Sequence, residues 1–168
     1  MNLDLLIDID KSLNIECHTV SVPEECGSVL KKYPIQVLHV NVRSMYCNFD
    51  NFLIILARLG IPFDVIVMSE CWIKPSSTIR QIDGYTSGNT QKYINKAGGV
   101  VAYVKDKWSP NFLEPDIDEA NCLIVEVPNV FTVLETSFTR NTEGSQMTKT
   151  RNVSTPDTAT SMFHFFES

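Results

Sequence analysis

No Cys-x-x-Cys pair occurs in this chain. Its cysteines, Cys17, Cys26, Cys47, Cys71 and Cys122, are scattered and odd in number, which argues against a zinc site built from close paired ligands. Cys17, His18 and Cys26 stand near one another, but no fourth ligand accompanies them. Free thiols in a reducing compartment are the simpler reading. Basic charge is also short: 14 Lys+Arg against 20 Asp+Glu leave a net charge of −6. That balance excludes a chain that binds polyanions over its whole surface and leaves room only for a local basic patch. No apolar run approaches the roughly 20 residues that a membrane-spanning helix needs. The start, MNLDLLIDID, is acidic and lacks the basic opening and small-residue cleavage site of a signal peptide. The expectation is an intracellular chain, nuclear or cytoplasmic, neither secreted nor attached to a membrane. No internal repeat is visible, and Gly98-Gly99 is not followed by the lysine and serine of a phosphate-binding P-loop.

What is present is the composition of an ordinary globular domain. The 168 residues are 43% hydrophobic and 20% charged, enough for one domain with a core. Residues 1–33 give weak signals and read as an N-terminal extension. Residues 35–42, IQVLHVNV, are rich in β-branched and apolar side chains and predict a strand. One face carries Ile35, Val37, His39 and Asn41; the other carries Gln36, Leu38, Val40 and Val42. Both faces are largely apolar, as in a strand covered on two sides. Phe49, Phe52, Leu53, Leu56 and Leu59 then follow helical spacing. Asn48 is positioned to cap that helix, Asp50 to complement its N-terminal dipole, and Gly60 with Pro62 to end it. FDVIVM at 63–68 reads as a second buried strand. Strand, helix and strand with short links make a βαβ unit, whose strands are parallel.

That unit gives meaning to VIVMSECW at 65–72, where an apolar run meets a glutamate. A charge left in an apolar interior is costly unless paired or bound to a metal. Asn41 and Glu70 each fall at the C-terminal end of a parallel strand, so both emerge on the edge where α/β sheets gather their ligands. Further on, a long polar loop precedes VVAYVK at 100–105. CLIVEV at 122–127 and VFTVLETSF at 130–138 form an antiparallel pair around Pro128-Asn129. From Thr139 onward polar residues dominate, and 139–168 reads as a disordered tail with an isolated aromatic end, MFHFFES.

LHVNVRS at 38–44, FDVIVMSECW at 63–72, Gly84-Tyr85, NKAGGVVAYVK at 95–105 and EANCLIVEV at 119–127, in this order, resemble the endonuclease/exonuclease/phosphatase superfamily. More specifically, they resemble the apurinic-type endonuclease domain of non-LTR retrotransposons, across about residues 35–134. The resemblance implies an α/β architecture: a two-layer β-sandwich flanked by helices, represented within 34–138 by its N-terminal part, with the C-terminal half missing. It implies a magnesium-dependent phosphodiester hydrolase acting on DNA, with Asn41 and Glu70 as catalytic residues, Glu70 as the metal ligand, and no small-molecule cofactor. The GDxN and terminal Asp-His motifs of such enzymes are absent from this sequence, so activity is expected to be weak or lost. The alternative is a non-catalytic remnant that binds nucleic acid or a protein partner. His39 is expected to be structural, Arg43 and Ser44 to meet phosphate or solvent, and Trp72 to pack on the sheet. Gly98-Gly99 is read as a tight lead-in to a strand. Lys92, Lys96, Lys105 and Lys107 form a modest basic cluster that either touches a DNA backbone or is simply solvated. Oligomeric state is not readable.

Overall fold

The computed structural model describes residues 15–18, 34–74, 76–117, 120–138, 147–154 and 160–166. In chain order these residues form β1 (Ile15–His18), β2 (Ile35–Asn41), α1 (Met45–Leu59), β3 (Val65–Ser69), β4 (Tyr85–Asn89), β5 (Val101–Lys105), a 3-10 turn (Asp106–Trp108), β6 (Asn111–Leu113), β7 (Ala120–Val127), β8 (Phe131–Phe138), β9 (Met147–Ser154) and β10 (Thr160–Phe166). The chain is thus mixed α/β, with two sheets. Flanking helices were expected in the plural; α1 is the one helix among the described residues.

The βαβ unit forms as its patterning predicts. β2 and β3 are parallel neighbours, with Val37 beside Val65 and Asn41 beside Ser69. Their side chains alternate between two apolar environments, which is why both faces had to be hydrophobic. Leu38, Ile66 and Met68, with Val101 and Tyr103 of β5, pack against Met45, Phe49, Phe52 and Leu59 of α1. Ile35, Val37, Val65 and Val67, with Ala102 and Val104, pack instead against Leu123, Val125, Val127 and Val133 of the second sheet. Helix, sheet and sheet therefore stack as three layers. Each fully buried aliphatic side chain of the central sheet contributes about 1.5–3 kcal/mol of burial energy.

The first sheet runs β1-β10-β2-β3-β5-β4, and the second runs β6-β7-β8-β9. β1, β10, β2 and β3 are mutually parallel; β5 and β4 continue the sheet antiparallel. The predicted β7–β8 hairpin is present, turning at Asn129 with φ 62°. Between β3 and β7, two strands were absent from the sequence reading. β4 (YTSGN) and β6 (NFL) are short and mostly half-exposed or exposed, so neither carries a long apolar alternation. They meet through Gly88, where an added Cβ would lie 2.2 Å from the Phe112 ring.

The tail read as disordered contains two strands. β9 pairs antiparallel with β8, and β10 lies parallel between β1 and β2. Backbone pairing does not require apolar side chains, and Thr148, Thr150 and Val153 are β-branched. Phe163, Phe165 and Phe166 likewise favour an extended chain. The remaining parts of that tail, 139–146, 155–159 and 167–168, lie outside the described residues, as does the N-terminal extension apart from Ile15–His18. Cys26 also falls outside them.

Candidate functional site

Two loops meet at the C-terminal edge of β2 and β3. The loop after β2 is tied to the loop after β3 by backbone bonds from Val42 N to Ser69 O (3.1 Å), Ser44 N to Glu70 O (2.9 Å) and Met45 N to Cys71 O (3.0 Å). The last two matter for α1, whose first turn has N–H groups that no intrahelical carbonyl can reach. The helix starts at Met45, three residues before the expected cap, and Ser44 makes no side-chain capping bond. Carbonyls of the β3 loop take that role. Asn48 sits inside the first turn, and its amide donates to Val42 O and Arg43 O, both at 2.9 Å. It braces the turn instead of capping the helix. Asp50 also departs from expectation: it pairs with Arg80 at 2.6 Å, and that contact holds its carboxyl below the ordinary range.

The third loop joins from the other side. Cys71 N donates to Gly99 O (3.1 Å) and Trp72 N to Gly98 O (2.9 Å). Gly99 has φ 100°, so the paired glycines do serve as a tight lead-in to β5. Gly98 has Asn121 Nδ2 2.4 Å from where its Cβ would stand, which leaves no room for a side chain.

At this junction Asn41 Nδ2 donates to Glu70 Oε1 at 2.8 Å. Arg43 N donates to Asn41 Oδ1 at 3.3 Å. The two residues singled out in the sequence therefore touch. Glu70 is only 9% exposed, at the border of burial. One step inward, the His39 ring Nε2 and Ser69 Oγ are hydrogen-bonded at 3.1 Å in the buried sheet, which fits a structural role for His39. The backbone here is unusual. Arg43, Ser44, Glu70 and Trp72 have φ of 41°, 86°, 53° and 54°, four of the six non-glycine residues with positive φ among those described. Each such conformation costs on the order of 1 kcal/mol or more and persists only where surrounding structure enforces it. Here the three-loop hydrogen-bond lattice enforces it.

Trp72 was expected to pack on the sheet; it stands just beyond the end of β3 and is 37% exposed. The expected lysine cluster is not a single patch. Lys92 pairs with Asp116 at 2.9 Å. Lys105 and Lys107 sit at the opposite end of β3, 3.2 Å and 3.1 Å from Asp64 Oδ1. Sequence reasoning missed Asp64 because it assigned FDVIVM wholly to a strand. Its carboxylate also accepts from Gln36 N (3.1 Å) and Trp108 Nε1 (3.2 Å). Burial alone would raise the Asp64 pKa. The Lys107, Trp108 and Gln36 donors and the charge of Lys105 outweigh it and hold the carboxyl below its ordinary value. Nearby, Tyr85 donates to Phe63 O at 2.6 Å, and burial together with Asp64 pushes its phenol up to about 12.

Magnesium binds hard oxygen donors, commonly one or two carboxylates completed by waters and substrate phosphate. The Glu70 carboxylate at a loop edge meets the smallest such requirement. No group of three or more His, Cys, Asp or Glu able to hold a metal ion stands together among the described residues. None of the helices described is long and apolar enough to cross a membrane. No protein-family model matches the chain, and no curated protein matches it.

Proposed function

We propose that this chain is a magnesium-dependent, phosphodiester-cleaving endonuclease-like domain acting on DNA, of the endonuclease/exonuclease/phosphatase type found in retrotransposon polyproteins. The finer fold reading goes with it: three stacked layers as part of a helix-flanked β-sandwich. The observation that carries the proposal is the 2.8 Å contact between Asn41 and Glu70 at the shared end of two parallel strands. It is supported by the left-handed backbone at Arg43, Ser44, Glu70 and Trp72 around it, since backbone strain of this kind concentrates at functional sites. Glu70 would hold the ion, with the Asn41 amide fixing the carboxylate's orientation. Bound there, magnesium supplies neutralisation of phosphoryl charge and acidification of water. Arg43, exposed beside Asn41, would meet a substrate phosphate.

The reading also limits the rate. A missing general base alone costs about 10²–10⁴-fold, so turnover is slow. The test is nicking of supercoiled plasmid by the whole chain with magnesium, with chelator, and with Glu70→Ala. Slow nicking that needs both the ion and Glu70 supports the proposal; equal background in all three removes it. A second reading, a non-catalytic nucleic-acid binder, is favoured by the lack of a three-ligand metal group among the described residues. Salt-dependent binding to DNA without nicking would select it.

A further inference from the structure

The three-loop edge presents exposed rings as well as its carboxylate. Tyr46, in the first turn of α1 beside the Met45–Cys71 bond, is 43% exposed; Trp72 is 37% and Tyr93 50% exposed. Tyr93, Lys74 and Gly98 line one solvent-open cleft, and Gly98 is bonded to Trp72. The rings therefore stand on the three chain segments whose backbone bonds join at the edge where Asn41 and Glu70 touch. Interleaved with them are Arg43, Lys74 and Lys96, all exposed. None of these three cations forms an ion pair among the described residues.

Large aromatic groups exposed at one place mark a contact surface. Exposed rings alternating with exposed cations match one chemistry well: bases stacked on aromatic faces, with the backbone phosphates tracked by positive charge. A continuous duplex hides its base faces inside its own stack and offers a protein mainly phosphates and groove edges. Three rings would then have nothing to stack on. We infer that this edge recognises unpaired nucleotides, and that the preferred substrate is single-stranded DNA, with Trp72 and Tyr93 as the stacking residues. The inference deepens the proposed function and rests on its reading of the edge as a nucleic-acid site.

The test is fluorescence anisotropy of the full chain with a labelled oligothymidine strand and with a paired duplex of the same length, in chelator so that neither metal nor cleavage enters. The single strand should bind at least about tenfold more tightly, and Trp72→Ala and Tyr93→Ala should each weaken it about 5- to 100-fold. Trp72→Phe should retain most of the affinity, and stacking should quench tryptophan emission, neither of which a purely structural Trp72 would produce. Tyr93→Ala, in an exposed loop, carries the test if Trp72→Ala fails to fold. Duplex binding as tight as single-strand binding overturns the inference, as do folded alanine variants that bind the strand unchanged. So does self-association that Trp72→Ala abolishes, because the rings would then be covered by a second copy. Single-strand preference without Glu70-dependent nicking would sink the hydrolase and keep this inference. Duplex nicking without single-strand preference would do the reverse.

Discussion

Strand β3 carries a carboxylate at each end, and the two are held in opposite ways. Asp64, just before Val65, is gripped by two ammonium groups, an indole N–H and a backbone N–H. Glu70, just after Ser69, accepts from a neutral amide and sits in a left-handed backbone conformation. The first arrangement is what a fold does with a carboxylate it uses as a clamp: Asp64 joins the start of β3 to β2, to the end of β5 and to the 3-10 turn. Lys105 strengthens it by also donating to Pro62 O. The second spends backbone strain to place an acid at a loop junction. Backbone strain of this kind concentrates at functional sites and persists where the surrounding bonds hold it, here Ser44 N to Glu70 O among them.

This contrast predicts separable consequences. The largest concern the Glu70 end: Asn41→Ala, which removes the orienting amide, should lower magnesium-dependent nicking about 10- to 100-fold with little change in the urea midpoint. Asp64→Ala should do the opposite. Leaving the half-buried Lys105 and its neighbours without their acid should cost about 3 kcal/mol in urea unfolding, with nicking per folded molecule unchanged. The pH dependence follows from the same clamp. The Asp64 carboxyl is depressed in the folded state, so the unfolded chain binds the proton more readily. The Asp64 contribution is therefore complete above the ordinary carboxylate range and is lost as pH falls through the lowered folded value. Melting curves should show an acid-side decline that Asp64→Ala flattens. Away from both ends, Gly88→Ala pushes a methyl into the Phe112 ring and should cost about 1–3 kcal/mol. Smallest of all, breaking the solvent-exposed Asp50–Arg80 pair with Asp50→Asn should leave the midpoint unchanged within error, because exposed ion pairs contribute little.

The same contrast separates what was legible in the sequence from what was not. β2, α1 and β3 were readable because their apolar spacing is set by two-sided burial, and the parallel arrangement of β2 and β3 then put Asn41 and Glu70 on one edge. The edge's backbone was not readable. Arg43, Ser44, Glu70 and Trp72 adopt positive φ because of bonds to loops distant in sequence, such as Trp72 to Gly98. Asn48 looked like a cap because it precedes the apolar stripe; in the fold, carbonyls of Glu70 and Cys71 meet the donors of Ser44 and Met45 instead. Asp64 was hidden for a similar reason. Its partners Lys105, Lys107 and Trp108 lie some forty positions away, joined to it only because β5 runs antiparallel to β3. β4 and β6 escaped notice because their sequences carry no sustained alternation, and their position depends on Gly88 admitting Phe112.

The most direct test of the division of labour along β3 is a manganese titration of the isotopically labelled chain, followed by paramagnetic broadening of its amide resonances. Manganese stands in for magnesium as a hard, oxygen-seeking cation. The account predicts that amides of residues 41–44 and 69–72 broaden first, that those around Asp64 and Lys105 stay sharp, and that Glu70→Gln removes the effect. Broadening centred on Asp64, or an unchanged pattern in Glu70→Gln, would contradict it.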